Sequence, residues 1–160
     1  MKIGIGADPY GVELKQVIKV HLLAGEYDCV DLGGNPEHQR AYYEVAHELA
    51  TKISAGQLDR GILICGTGMG MAIIANKHSG VYAAVCEEPS TAAKARSINN
   101  ANVLTLGGML TAPFKAKEIT DVFLSTDFRS GWDASIQAFL DQSMIDIHQI
   151  EVEAFQVNST

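Results

Sequence analysis

The densest run of chemically capable residues is Cys65-Gly66-Thr67-Gly68-Met69-Gly70. Its three alternating glycines follow an apolar run and precede a helical pattern. Several backbone N–H groups are therefore expected to converge where a helix begins, a geometry suited to an anion or an oxyanion. Cys65, last in the apolar run, lies in the same positive field, which favours thiolate over thiol. The competing reading of Cys65 is an inert strand cysteine; the adjacent loop favours the reactive one. Cys29 and Cys86 lack such surroundings and read as core. Asp8, where another apolar run meets its turn, reads either as a helix N-cap or as a ligand for a sugar hydroxyl.

Two other signals carry less. Gly66-x-Gly68, with Glu87-Glu88 about 20 residues later, imitates a dinucleotide fingerprint. However, Met71 stands where the motif needs Gly or Ala, Gly70 falls one place early, and the motif opens on the third strand instead of the first. Nucleotide binding is a minor alternative. His21, His38, His47, His78 and His148 fall on helices or loops, and none pairs with a carboxylate at a metal-ligand spacing, so no metal is expected.

Short apolar runs at 2–6, 28–32, 60–65, 81–86 and 102–107 read as five strands of a parallel sheet covered on both faces. Amphipathic stretches separate them. Val12, Val17, Ile18 and Leu22 form one stripe, and Val45, Ala46, Leu49 and Ile53 another. Further helices are expected near 70–77, 90–98, 113–125 and 133–143. Unbroken strand–helix alternation makes residues 1–160 one α/β domain, a Rossmann-like three-layer sandwich with a C-terminal helical tail. The tail carries Phe139, Leu140, Met144, Ile145, Ile147, Ile150 and Phe155. It either closes the sheet or, over about residues 144–160, forms a dimer arm.

In such a sheet ligands bind beyond the carboxyl ends of the strands. Glycine makes up 15 of 160 residues, above the usual ~7%. Much of that surplus falls at these ends: 11, 33, 34, 66, 68, 70, 107 and 108. With 12 Lys+Arg against 19 Asp+Glu, the formal charge is 12 − 19 = −7, which argues against a nucleic-acid partner. Three cysteines in no disulfide or zinc spacing, and no signal-peptide pattern or membrane-length apolar run, point to a cytoplasmic chain without membrane contact.

The order of these residues is familiar. Asp8-x-x-Gly11 with Leu14-Lys15, the block from Asp59 to Gly70, Ala75-Asn76-Lys77, and Asn99 to Gly107 closely resemble type B ribose-5-phosphate isomerase and the galactose-6-phosphate isomerase subunits. The resemblance spans roughly residues 1–128. It implies an aldose–ketose isomerase without cofactor, forming a homodimer or tetramer with sites at the subunit interface. Cys65 would be the general base, moving a proton between C1 and C2 through a cis-enediolate held by the amides of Gly66, Gly68, Met69 and Gly70. Thr67, Asp8, Tyr42 and Asn99 match residues that contact the sugar's hydroxyls. One branch of the family has a glutamate base where Met71 stands, which leaves Cys65 as the candidate here.

The departures sit at the other end of the substrate. The family usually has Asp-His where this chain has Asp8-Pro9, and His-Asn where it has Ile98-Asn99; the second histidine opens the furanose ring. Its phosphate arginine after the Gly107-Gly108 pair is Met109 here. Two more arginines, in a Gly-Arg-His-Gln pattern, correspond to residues 130–137, which contain no basic side chain. Lys94, Arg96 and Arg129 are left as candidates to hold an anion. A four-carbon sugar 4-phosphate stays open-chain and needs no ring opening, and tetrose-phosphate isomerases similar to this family lack that histidine. Burying a dianion without cationic partners costs several kcal/mol, which points instead to a less charged ligand. The expected substrate is a tetrose phosphate or a less charged small sugar; the alternative is a non-catalytic sugar-binding or regulatory subunit.

Overall fold

The computed structural model describes residues 1–157. Strands β1 (Lys2–Ala7), β2 (Asp28–Asp31), β3 (Arg60–Cys65), β4 (Ala83–Val85) and β5 (Val103–Gly107) form one parallel sheet in the order β2-β1-β3-β5-β4. The helices are α1 (Val12–Ala24), α2 (Tyr42–Ser54), α3 (Met69–Ala75), α4 (Pro89–Ser97), α5 (Pro113–Ser125) and α6 (Ala134–Val157). In β3, Ile62, Leu63 and Ile64 are all fully buried, as a strand covered on both faces requires. Ile62 and Ile64 pack with Ile18 of α1, Ala92 of α4 and Phe123 of α5. Leu63 and Cys65 face the other way, toward Leu49 of α2 and Met71 of α3. The result is the expected Rossmann-like sandwich, with a helical layer on each face.

This order creates a crevice. β1 and β3 are neighbours, yet the chain leaving β1 enters α1 on one face and the chain leaving β3 enters α3 on the other. Adjacent strand ends whose following loops diverge leave an opening between them, the usual ligand site of an open parallel sheet. Asp8 and Cys65 flank it.

Element boundaries differ from the sequence reading in two places. β4 covers only Ala83–Val85, because the Tyr82 N–H donates to Asn102 Oδ1 (2.8 Å) instead of to a strand partner. The helix expected at 133–143 continues unbroken through Val157, since no Gly or Pro interrupts it. Residues 158–160 of the expected 144–160 arm lie outside the described residues. On α6, Leu140 is buried, while the Glu151 carboxylate accepts hydrogen bonds from Gly80 N–H and Tyr82 O–H. Ile136, Phe139, Ile145 and Ile150 stay exposed. No helix among the described residues is long and apolar enough to cross a membrane.

At the β2 edge, Lys15 and Lys19 converge on Asp31, at 2.9 and 2.8 Å. Burial pushes the Asp31 carboxyl up, but hydrogen bonds from Lys19, Lys15 and Gly33 N–H outweigh it and hold the group below the ordinary range. The stability contributed by a depressed carboxyl is fully present above its unfolded value of about 3.9. It is lost as pH falls through the lower folded value. Asp31→Asn should therefore lower stability at neutral pH and flatten the loss on acidification below about pH 4 in urea unfolding. An acid limb identical to wild type would contradict this account.

Candidate active site

Cys65 ends β3 with only 5% of its surface exposed, and its Sγ accepts the Gly68 N–H at 3.1 Å. That bond depends on the left-handed conformation of Gly68 (φ +79°), the residue from which α3 starts. A Cβ there would stand 3.1 Å from the Leu106 backbone, so the site needs glycine for both space and conformation. The Met69 N–H points to Thr67 Oγ1 at 3.4 Å. Two of the loop's amides are thus committed within the loop, leaving the others for a ligand.

Asp8 follows β1 one position beyond the Ala7↔Ile64 pairing, and its N–H donates to Ile64 O at 3.1 Å. The two strand ends, about 4.8 Å apart in a paired sheet, set Asp8 beside Cys65. Asp8 is 6% exposed, and its Oδ1 accepts the N–H groups of Tyr10 (2.9 Å) and Gly11 (3.1 Å). It therefore holds the turn ahead of α1 and is not a side-chain cap, since α1 starts from Gly11 without one. Burial pushes the Asp8 carboxyl above its ordinary value, partly offset by those two N–H bonds. Its Oδ2 has no hydrogen-bond partner among the described residues.

A third strand end completes the rim. Gly107 pairs in register with Cys65, Gly108 N–H donates to Cys65 O at 2.7 Å, and Met109 N–H donates to Gly66 O at 3.1 Å. The Met109 Sδ lies 3.0 Å from where a Gly66 Cβ would stand. On the opposite side Tyr42, first residue of α2, lays its ring on Gly70, 2.8 Å from the position of a Cβ. Cys65, Asp8, Thr67, Tyr42 and the glycine loop thus lie at the carboxyl ends of β1 and β3 and in the segments packed against them.

The family model described as Ribose/Galactose Isomerase matches residues 3–139. The chain belongs to the ribose/galactose isomerase family. It is 42% identical over 157 residues to a 4-deoxy-4-sulfo-D-erythrose isomerase of Clostridium sp. (strain MSTE9), covering 98% of this chain and 99% of that one. It is 40% identical over 135 residues to a D-erythrulose-4-phosphate isomerase of Pectobacterium atrosepticum, covering 84% and 89%. Among solved structures it resembles Clostridium thermocellum ribose-5-phosphate isomerase B, with a TM-score of 0.87, 35% identity and coverage of 96% and 99%. It also resembles the Mycoplasma genitalium enzyme with bound ribulose-5-phosphate, with a TM-score of 0.85, 36% identity and coverage of 95% and 97%.

Against this family background, four expected residues fall away from the crevice. α4 connects the carboxyl end of β4 to the amino end of β5, so exposed Asn99, just past it, lies at the amino end of the sheet. β5 alone spans about 13 Å. Arg96 is a structural residue: it is 3% exposed and donates to Thr126 O, Asn100 Oδ1 and Ala101 O. Burial, with Arg60 nearby, pushes its guanidinium down to about 10. Lys94 sits 4.4 Å over the Trp132 ring, and Arg129 pairs with Asp141 at 2.7 Å. None of these three cations reaches the loop within one chain. Glu88, half of the acidic pair that imitated a nucleotide site, caps α4 and pairs with Lys115. Among the described residues, no three His, Cys, Asp or Glu side chains gather where they could hold a metal.

The sequence reading assigned no structural role to Lys15. Its signal was the helical phase: Lys15 shares the inward face of α1 with Ile18 and Leu22.

The close approach of loops makes the site sensitive to single methyl groups. A Cβ on Gly11 would stand 2.1 Å from Ile64 O. Gly11→Ala is expected to destabilise the fold by roughly 2 kcal/mol or more in urea unfolding, and unchanged stability would show that the loop is not packed this way.

Proposed function

We propose that this chain interconverts an aldose and a ketose of four carbons that carry a terminal monoanionic group, with a 4-deoxy-4-sulfo tetrose as the substrate class. The supporting observation is the match along 98% of the chain to a relative named for that activity, which extends through the α6 region. The crevice agrees with a weakly charged substrate end. Met109 covers Gly66, and the candidate cations are engaged elsewhere. A sulfonate carries one negative charge, whereas a phosphate monoester carries about 1.5 to 2 at neutral pH. A C4-sulfonated tetrose has no O4 with which to close a furanose, so Ile98 can stand where a ring-opening histidine would otherwise be needed.

The chemistry follows from the strand ends. The Cys65 thiolate takes the proton from C2 of the open-chain aldose, and the C–H electron pair forms the C1–C2 double bond of a cis-enediolate. The negative charge that develops on O1 is held by the uncommitted N–H groups of the 66–70 loop. The Cys65 thiol exchanges its proton with solvent and then protonates C1. Asp8 Oδ2 accepts the O2 hydroxyl proton and passes it to O1, which leaves the carbonyl at C2. Thr67 and Tyr42 position the remaining hydroxyls.

The proposal includes a homodimer. Asn99 can reach Cys65 only from a second copy, and α6 presents exposed Ile136, Phe139 and Ile150 for a partner to cover. Sedimentation should show a dimer that weakens when residues 144–160 are removed; a monomeric intact chain would refute this.

Steady-state assays with 4-deoxy-4-sulfo-D-erythrose and D-erythrulose 4-phosphate test the substrate class. A kcat/KM at least about 10-fold higher for the sulfonate is expected, because an unpaired second charge costs more than the ~1.4 kcal/mol that a factor of ten represents. Preference for the phosphate would move the assignment to the erythrulose-phosphate branch. Silence on every sugar would favour the binding-subunit alternative.

A further inference from the structure

Lys15 has 1% of its side chain exposed, and the proposed chemistry gives it no step. A buried ammonium persists only where hydrogen-bonded and charged partners meet it. Here all of them belong to one turn. Lys15 Nζ donates to Asp31 Oδ1 (2.9 Å), Asp31 Oδ2 (3.2 Å) and Gly33 O (3.1 Å). Asp31 Oδ1 in turn accepts the Gly33 N–H at 2.9 Å.

That turn is unusual in conformation and in what it touches. Gly33 and Gly34 both have positive φ, +92° and +73°. A Cβ on Gly34 would stand 1.7 Å from Ala7 O, so the turn lies directly on the end of β1. Ala7 leads into Asp8, whose N–H donates to Ile64 O at 3.1 Å, and Ile64 leads into Cys65. The Lys15 backbone closes the circuit: its N–H donates to Gly11 O at 2.8 Å, and Gly11 N–H donates to Asp8 Oδ1 at 3.1 Å. One residue therefore grips the Asp8 turn through its backbone and the Gly33–Gly34 turn through its side chain.

We propose that Lys15 is a positioning residue of the isomerase site: with Asp31 it clamps the Gly33–Gly34 turn onto the end of β1 and so holds the Asp8 carboxylate at the height of Cys65. The proposal rests on the isomerase reading above. Lys19 is a built-in control, since it reaches Asp31 Oδ2 (2.8 Å) but makes no bond to Gly33. A lysine that served only as a fold anchor would cost stability when removed, without coupling to Asp8.

The test uses the full chain in two arms. In the kinetic arm, with the sulfonated tetrose and D-erythrulose 4-phosphate as probes, Lys15→Met lowers kcat by roughly 10- to 100-fold, the scale of a displaced catalytic group. KM changes by less than about 3-fold. Combined with Asp8→Asn, Lys15→Met lowers kcat no further than the worse single variant, a non-additive cycle. Lys19→Met stays within about 2-fold of wild type and multiplies with Asp8→Asn. In the second arm, amide hydrogen exchange read by NMR speeds up at Tyr10, Gly11 and Gly33 in Lys15→Met and not in Lys19→Met.

Folded Lys15→Met with wild-type kcat, or losses that multiply with Asp8→Asn, would overturn the proposal, as would unchanged exchange at those three amides. If Lys15→Met does not fold, Asp31→Asn, which keeps an acceptor oxygen, carries the same cycle and the same exchange measurement. If wild type turns over neither sugar, the isomerase reading fails, and the exchange arm alone decides whether Lys15 holds the Asp8 turn.

Discussion

Four strand ends meet here at distances that admit no side chain between them. Gly11 lies against Ile64 O, Gly34 against Ala7 O, and Gly108 against Tyr10 O, each at a separation where a Cβ would stand 1.7 to 2.3 Å from a carbonyl oxygen. The crevice between β1 and β3 depends on that contact of backbone with backbone. It brings Asp8, Cys65 and the Cys65-to-Gly70 loop onto a rim a few ångströms across. It also explains why the glycine surplus collects at the carboxyl ends of the sheet. A methyl group at any of these points would push two loops apart and separate Asp8 from Cys65.

Given that rim, the electrostatics divide the crevice into two ends. One end is polar and preorganised: a thiol that accepts a backbone N–H, a buried carboxyl held by two others, and loop amides still available. Donors aimed in advance at a developing charge need no reorganisation when it forms, which is where such sites gain most. The other end carries Met109, with Glu87, Glu88 and Lys115 farther along the carboxyl edge of the sheet. Met109 lies on Gly66, while Arg96, Arg129 and Lys94 are engaged at or toward the amino side of the sheet. In the proposed reaction the enediolate forms at the first end, and the singly charged substituent proposed for the substrate lies toward the second.

Much of this was legible in the sequence, for identifiable reasons. Both faces of β3 are buried, so its residues form a continuous apolar run, and the glycine triplet after it marks the loop without ambiguity. The placement of Asn99 and the three cations was harder to read, because proximity in sequence to a strand does not reveal which end of the sheet a residue occupies. A clue was nevertheless present: a crossover helix must run back toward the amino ends, so whatever follows α4 had to lie opposite Cys65. The inward phase of Lys15 on α1 was likewise visible, but its partners Asp31 and Gly33 come from a segment that only the sheet register brings alongside. The length of α6 follows from an absence of breakers, which is easier to recognise once the helix is seen.

The central claim is that Cys65 carries the proton between the two carbons. The most direct test follows isomerisation in deuterium oxide by NMR, with 4-deoxy-4-sulfo-D-erythrose as substrate and wild type compared with Cys65→Ala. The account predicts deuterium at C1 of the ketose with wild type, and no exchange above the buffer rate with Cys65→Ala. Exchange that persists at a comparable rate without the Cys65 thiol would contradict it.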